Sequence, residues 1–89
     1  MSVTWMRTSD AFPDLNRSDT DFTAFDGKDI IGRVHQLENG PEQGLWLWTM
    51  TATGPGWPFN ARSGREATRG EAGRRVVEAY NLLRRLRDA

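Results

Sequence analysis

Three groups of residues in this 89-residue chain have side chains suited to chemistry. Trp46 and Trp48 lie two apart on one segment and offer aromatic faces, while Arg33 on a neighbouring segment supplies a cation. That combination stacks bases and meets phosphates, as in sheets that bind single-stranded nucleic acid. The plain alternative for the two tryptophans is burial beneath a helix. Arg62, Arg65 and Arg69 gather where a helix begins, and cations there oppose the helix dipole by a few tenths of a kcal/mol each. A bound phosphate or carboxylate would relieve that repulsion, which makes small-anion sensing the corresponding function. Solvated arginines in a polar connection are the simpler account. The third group is apolar: Phe22, Ile30, Val34, Leu45 and Leu47 fall on strands and form a candidate interaction face.

No catalytic, metal or cofactor site is expected from the residue types and their spacing. His35 is the single histidine and alternates with Arg33 on a strand, without neighbouring ligands at metal spacing. Asp26 with Asp29, and Glu38 with Glu42, flank turns, where carboxylates cap and solvate. No G-x-x-x-x-G-K-[ST] run is present, so a nucleotide-binding P-loop is excluded. An enzyme is not expected.

Twelve basic residues balance twelve acidic ones, which argues against a nonspecific nucleic-acid coat. The balance hides a polarity along the chain: residues 1–58 carry a net charge of −4 and residues 59–89 a net charge of +4. Opposite ends of this kind favour internal pairing or association between copies. Without cysteine, stability rests on packing, and four tryptophans supply much of it. The N-terminus lacks the basic start and apolar run of a signal peptide, and no stretch approaches a membrane span, so a cytoplasmic location is expected.

The elements that must position these residues can be read from period and punctuation. Residues 1–20 read as an irregular arm with room for a short strand at Ser2 to Arg7. Asp21 to Phe25 reads as a strand, and Asp26-Gly27 suits the φ > 0 positions of a type I′ turn. The return strand runs from about Lys28 to Leu37, with Ile30, Gly32 and Val34 on one face and Ile31, Arg33, His35 and Leu37 on the other. Gly32 marks a bulge or a large neighbour. A turn at Asn39 to Gly44 leads to a third strand from near Leu45, after which Gly54 to Phe59 breaks the sheet with Trp57 and Phe59 as expected anchors. Asn60 to Ala67 leaves open a short fourth edge strand. Thr68-Arg69-Gly70-Glu71 is a capping box and opens a helix over residues 68–88. Its stripe is Val76, Ala79, Tyr80, Leu83 and Leu86. Gly73 lies on that stripe although glycine costs about 1 kcal/mol inside a helix. It is expected to let the helix close on the indole of Trp46 or Trp48.

The run Asp26-Gly27-Lys28-Asp29-Ile30-Ile31-Gly32-Arg33-Val34, then Gly40-Pro41, Gly44-Leu45-Trp46-Leu47-Trp48 and a helix opening near Glu71-Ala72, resembles short uncharacterised bacterial proteins with the same layout. The resemblance covers about residues 21–87 and implies no activity, cofactor or functional residue.

The whole reads as one α+β domain: a three- or four-stranded antiparallel meander with a C-terminal helix on one face. The segment from Leu45 to Ala52 presents large side chains to both faces, so its second face needs a cover: the arm, a second subunit or a ligand. The expected function is a non-enzymatic interaction module that self-associates or binds a protein through a sheet face. Single-stranded nucleic-acid binding and small-anion sensing are the alternatives.

Overall fold

The computed structural model describes residues 3–15, 18–51 and 62–88. In chain order these form β1 (Val3–Arg7), a one-turn helix α1 (Thr8–Ala11), a 3-10 turn at Pro13–Leu15, β2 (Asp21–Asp26), β3 (Asp29–Gln36), β4 (Trp46–Met50), β5 (Arg62–Glu66) and α2 (Arg69–Asp88). The strands make one antiparallel sheet in the order β1-β2-β3-β4-β5. The architecture is therefore an α+β meander with one C-terminal helix, built on five strands rather than three or four. The proposed anchors Trp57 and Phe59 lie outside the described residues.

The two additional strands are the edges, and each forms for a reason that lies in its neighbour. β5 contains no large apolar residue. It pairs on β4 with Gly64 opposite Trp48, where a Cβ would come within 2.7 Å of the indole nitrogen. β1 carries Val3 and Trp5 at strand spacing, and both pack against the core from the half-buried position of an outer strand. Between β2 and β3 the two-residue turn is Gly27-Lys28, one residue later than the sequence suggests, with Asp26 opposite Asp29 and Gly27 at φ 63°.

A bulge reassigns one residue of β3. Ala24 pairs with Gly32 but Phe25 pairs with Ile30, so Ile31 is the extra residue. Ile31 consequently points with Gly32 and Val34 toward the helix and is buried, whereas Ile30 faces away and is 46 % exposed. The anticipated grouping of Ile30 with Gly32 and Val34 is thereby corrected.

The core lies between this sheet face and α2: Ala24, Ile31, Val34 and Met50 against Ala72, Val76, Ala79, Tyr80 and Leu83. At the helix start, Thr68 Oγ1 accepts the Glu71 N–H at 3.2 Å, as the capping motif requires. The Glu71 carboxylate turns forward to Arg74 Nη2 at 2.8 Å. Leu86 departs from the expected stripe and is 54 % exposed. Tyr80 already donates its hydroxyl to Asp26, the last residue of β2, so the turn after Leu83 runs past the sheet.

Five strands at about 4.8 Å spacing are wider than one helix of roughly 10–12 Å. α2 packs on β3, β4 and β5. The arm packs on the other face at the opposite side of the sheet, where Thr8 is buried against β2 and Phe12 meets Phe25 with ring centroids 6.3 Å apart. Cover is therefore diagonal. On the arm side Leu47 lies between His35 and Arg65 in register, half-buried, with Arg65 ion-paired to Glu42. Long polar side chains flank the second face of β4.

Gly73 faces a tryptophan, but it is Trp5 of β1. A Cβ at Gly73 would lie 3.4 Å from Trp5 Cζ2, an ordinary contact distance, and its three nearest neighbours all belong to the Trp5 indole rather than to Trp46 or Trp48. Gly73→Ala should therefore gain helix propensity without a clash and raise stability by about 0.5–1 kcal/mol. Urea denaturation checks this, and a destabilised variant would show that Trp5 cannot yield even to a methyl group.

Candidate binding groove

The diagonal cover leaves a recess between the C-terminal end of β1, the start of β2 and the first turns of α2, a groove of about 890 Å³. β1 contributes Trp5, Met6 and Arg7, α1 contributes Asp10, β2 Phe22 and β3 Val34. The first turns of α2 contribute Arg69, Gly70, Gly73, Arg74 and Val77. Strand pairing explains the floor. Arg7 is opposite Phe22 and Phe22 opposite Val34, so these three share a face with Trp5. Helix period explains the wall. Gly70, Gly73 and Val77 recur at three- and four-residue spacing on the side toward β1, and the two glycines leave space that side chains would fill.

The groove is apolar below and basic at its rim. The Arg69 guanidinium lies over the Phe22 ring, 4.7 Å from its centroid. Arg74 is held by Glu71 and Glu78 on its own helix, and that pairing keeps the Glu71 carboxyl below its ordinary value, with the Arg74 hydrogen bond as the largest cause. Arg7 and Arg69 form no ion pair among the described residues. The guanidinium groups give the lining positive charge and hydrogen-bond donors beside its aromatic surface.

The groove gathers only part of what the sequence singled out. Of the candidate anion-binding arginines, Arg69 is at the rim. Arg62 and Arg65 belong to β5 and point to opposite faces, with Arg65 engaged by Glu42. The short edge strand that the sequence left open forms here, and alternation separates its arginines. The candidate stacking residues are also divided. Trp46 and Trp48 are on the helix side, half-buried and packed against the core, and the Trp46 ring lies 6.5 Å from that of Phe22. Arg33 is on the arm side, bonded to Asp21. Of the interaction-face set, Phe22 and Val34 line the groove, while Ile30 and Leu47, with Leu45 two residues before it, lie on the arm side. The bulge and the register of β2 on β3 divide the set. Trp5 and Arg7 were not singled out for binding, although Val3, Trp5 and Arg7 at period two carry the signal of a strand with one apolar face ending in a cation.

Among the described residues no cluster of three or more His, Cys, Asp or Glu side chains is placed to hold a metal ion, and no helix is long and apolar enough to cross a membrane. No protein-family model, curated protein or solved structure matches the chain.

Proposed function

We propose that this chain is a cytoplasmic, non-enzymatic interaction module that binds a protein partner through the groove between β1 and the N-terminal half of α2. The observation that carries the reading is the groove's lining: Trp5, Phe22, Val34 and Val77 form an apolar floor and wall, with Arg7 and Arg69 at the rim. An apolar recess rimmed by charge suits a side chain inserted from a partner, and aromatic and arginine anchors dominate such contacts. The separation of Arg33 from the tryptophans gives nucleic-acid stacking no comparable support.

Gly70 supplies the test, since a Cβ there meets nothing within 4 Å. Gly70→Trp should fill the groove, and any residue but proline improves on glycine in a helix, so the variant should stay folded. Peptides selected against the wild-type domain from a random linear library are expected to bind Gly70→Trp at least ten-fold more weakly. Equal binding to both, or failure to select any peptide, would refute the reading.

A further inference from the structure

Among the described residues the edge of the sheet that borders this groove is unpaired, and the two features together specify the shape of what binds. β1 pairs with β2 over all five of its residues without a register shift, and no strand lies on its outer side among the described residues. Edge strands are usually protected by charge, proline or a bulge. The other edge, β5, is protected by charge, with Arg62, Arg65 and Glu66 among its five residues. β1 reads Val-Thr-Trp-Met-Arg, with no proline or bulge and one charge at its end. Its Met6 is 42 % exposed.

We propose, on the basis of the groove reading above, that the partner presents an extended segment that adds to β1 as a sixth strand. The side chains of that segment that face the helix would alternate between apolar residues and an acidic one. Its backbone would satisfy the outward N–H and C=O groups of β1, and alternate side chains would enter the groove at strand spacing of about 7 Å. Charge selects the acidic residue. Arg7 ends β1 and Arg69 lies over Phe22, neither engaged in an ion pair among the described residues, against the single carboxylate of Asp10 in the lining. The Trp5 and Phe22 rings receive the apolar side chains. A second copy is the poorer occupant: its own Val3–Arg7 would bring another arginine and no carboxylate to the same edge.

The peptide Ser-Glu-Thr-Ile-Thr-Ile-Thr, end-capped, places Glu and both Ile on one side of a strand. It and its reversed sequence provide both orientations. Titration of the full chain at low salt, followed by tryptophan fluorescence, should show binding of one of the two. The Lys-for-Glu version and Arg7→Gln should each weaken it at least ten-fold, and methylation of alternate backbone amides on the pairing edge should abolish it. Equal binding of the methylated or the Lys peptide, or no binding of either orientation, would overturn the proposal. If these peptides fail while library peptides blocked by Gly70→Trp are recovered, strand addition falls and the groove reading stands. If both experiments fail, both fall. A dimer at sedimentation equilibrium that Gly70→Trp disperses would make a second copy the occupant and overturn the proposal.

Discussion

Gly32→Ala should cost about 3 kcal/mol, lowering the melting temperature of a domain this size by roughly 12–24 °C. Gly32 lies in β3 beneath the helix, and a Cβ there would come 2.4 Å from Val76 Cγ1 and 2.8 Å from the Thr49 carbonyl oxygen. Val76 is fully buried and Thr49 O belongs to the backbone of the adjacent strand, so neither contact can relax by rotating an exposed side chain. The helix must lift from the sheet or β3 must shift against β4. Val76→Ala alone should cost about 2 kcal/mol through the cavity it leaves. In the double variant the new methyl group occupies part of that cavity, so the two losses should fall short of additive by about 1 kcal/mol or more. Urea denaturation of the four proteins closes the cycle. A Gly32→Ala variant as stable as the wild type would contradict the close approach of α2 to β3.

The second large effect is expected at Asp21, the buried acid of the arm side. Its side chain is 4 % exposed and accepts hydrogen bonds from Thr8 Oγ1 at 2.6 Å and Arg33 Nε at 2.8 Å, with a second bond from the Arg33 guanidinium. Thr8 also contacts Thr23 Oγ1 at 2.8 Å, so the network ties α1 to β2 and β3. Burial pushes the Asp21 carboxyl up, but the bonds from Arg33 and Thr8 and the nearby charges of Arg33 and His35 outweigh it, holding the carboxyl below its usual range. A depressed folded pKa contributes stability that is fully present above the unfolded value of about 3.9 and is lost as pH falls through the folded value. The wild type should therefore weaken in acid below about pH 4, and Asp21→Asn should weaken less steeply over the same window. At neutral pH Asp21→Ala should cost about 2–3 kcal/mol, because Arg33 and Thr8 lose their acceptor and the arm loses its tether. Denaturation curves from pH 2 to 7 provide the check, and parallel pH profiles for wild type and Asp21→Asn would refute the assignment.

These two positions differ in how far they could be read beforehand. A glycine in the middle of a strand signals a bulge or a crowding neighbour, and Gly32 has both: Ile31 is the bulged residue beside it and Val76 is the neighbour above it. Asp21 gave no such signal, because its partners lie at residues 8 and 33 and only strand register brings them together. Gly73 was legible in kind but not in identity. A glycine on a buried helical stripe calls for a large neighbour, yet which tryptophan fills the place depends on where β1 lies. The groove was less legible still, since its residues come from five elements and only some of them, Phe22, Val34, Arg69 and Gly73 among them, stood out in the sequence.

What the sequence by itself determined is the local part of this protein: the strands from Asp21 to Met50, the glycine-marked turns, and the helix that opens at Thr68 and buries Val76, Ala79, Tyr80 and Leu83. Period, capping and turn chemistry act between residues a few positions apart, so they can be read without the fold. Only the tertiary structure decided that Val3–Arg7 and Arg62–Glu66 become the sheet's two edges, that Ile31 turns inward, and that α2 and the arm cover opposite faces on opposite sides. Each of those outcomes depends on pairing between distant segments. The groove follows from the mismatch in width, because one helix cannot span five strands, and the side left open is the one where Trp5 and Arg7 lie.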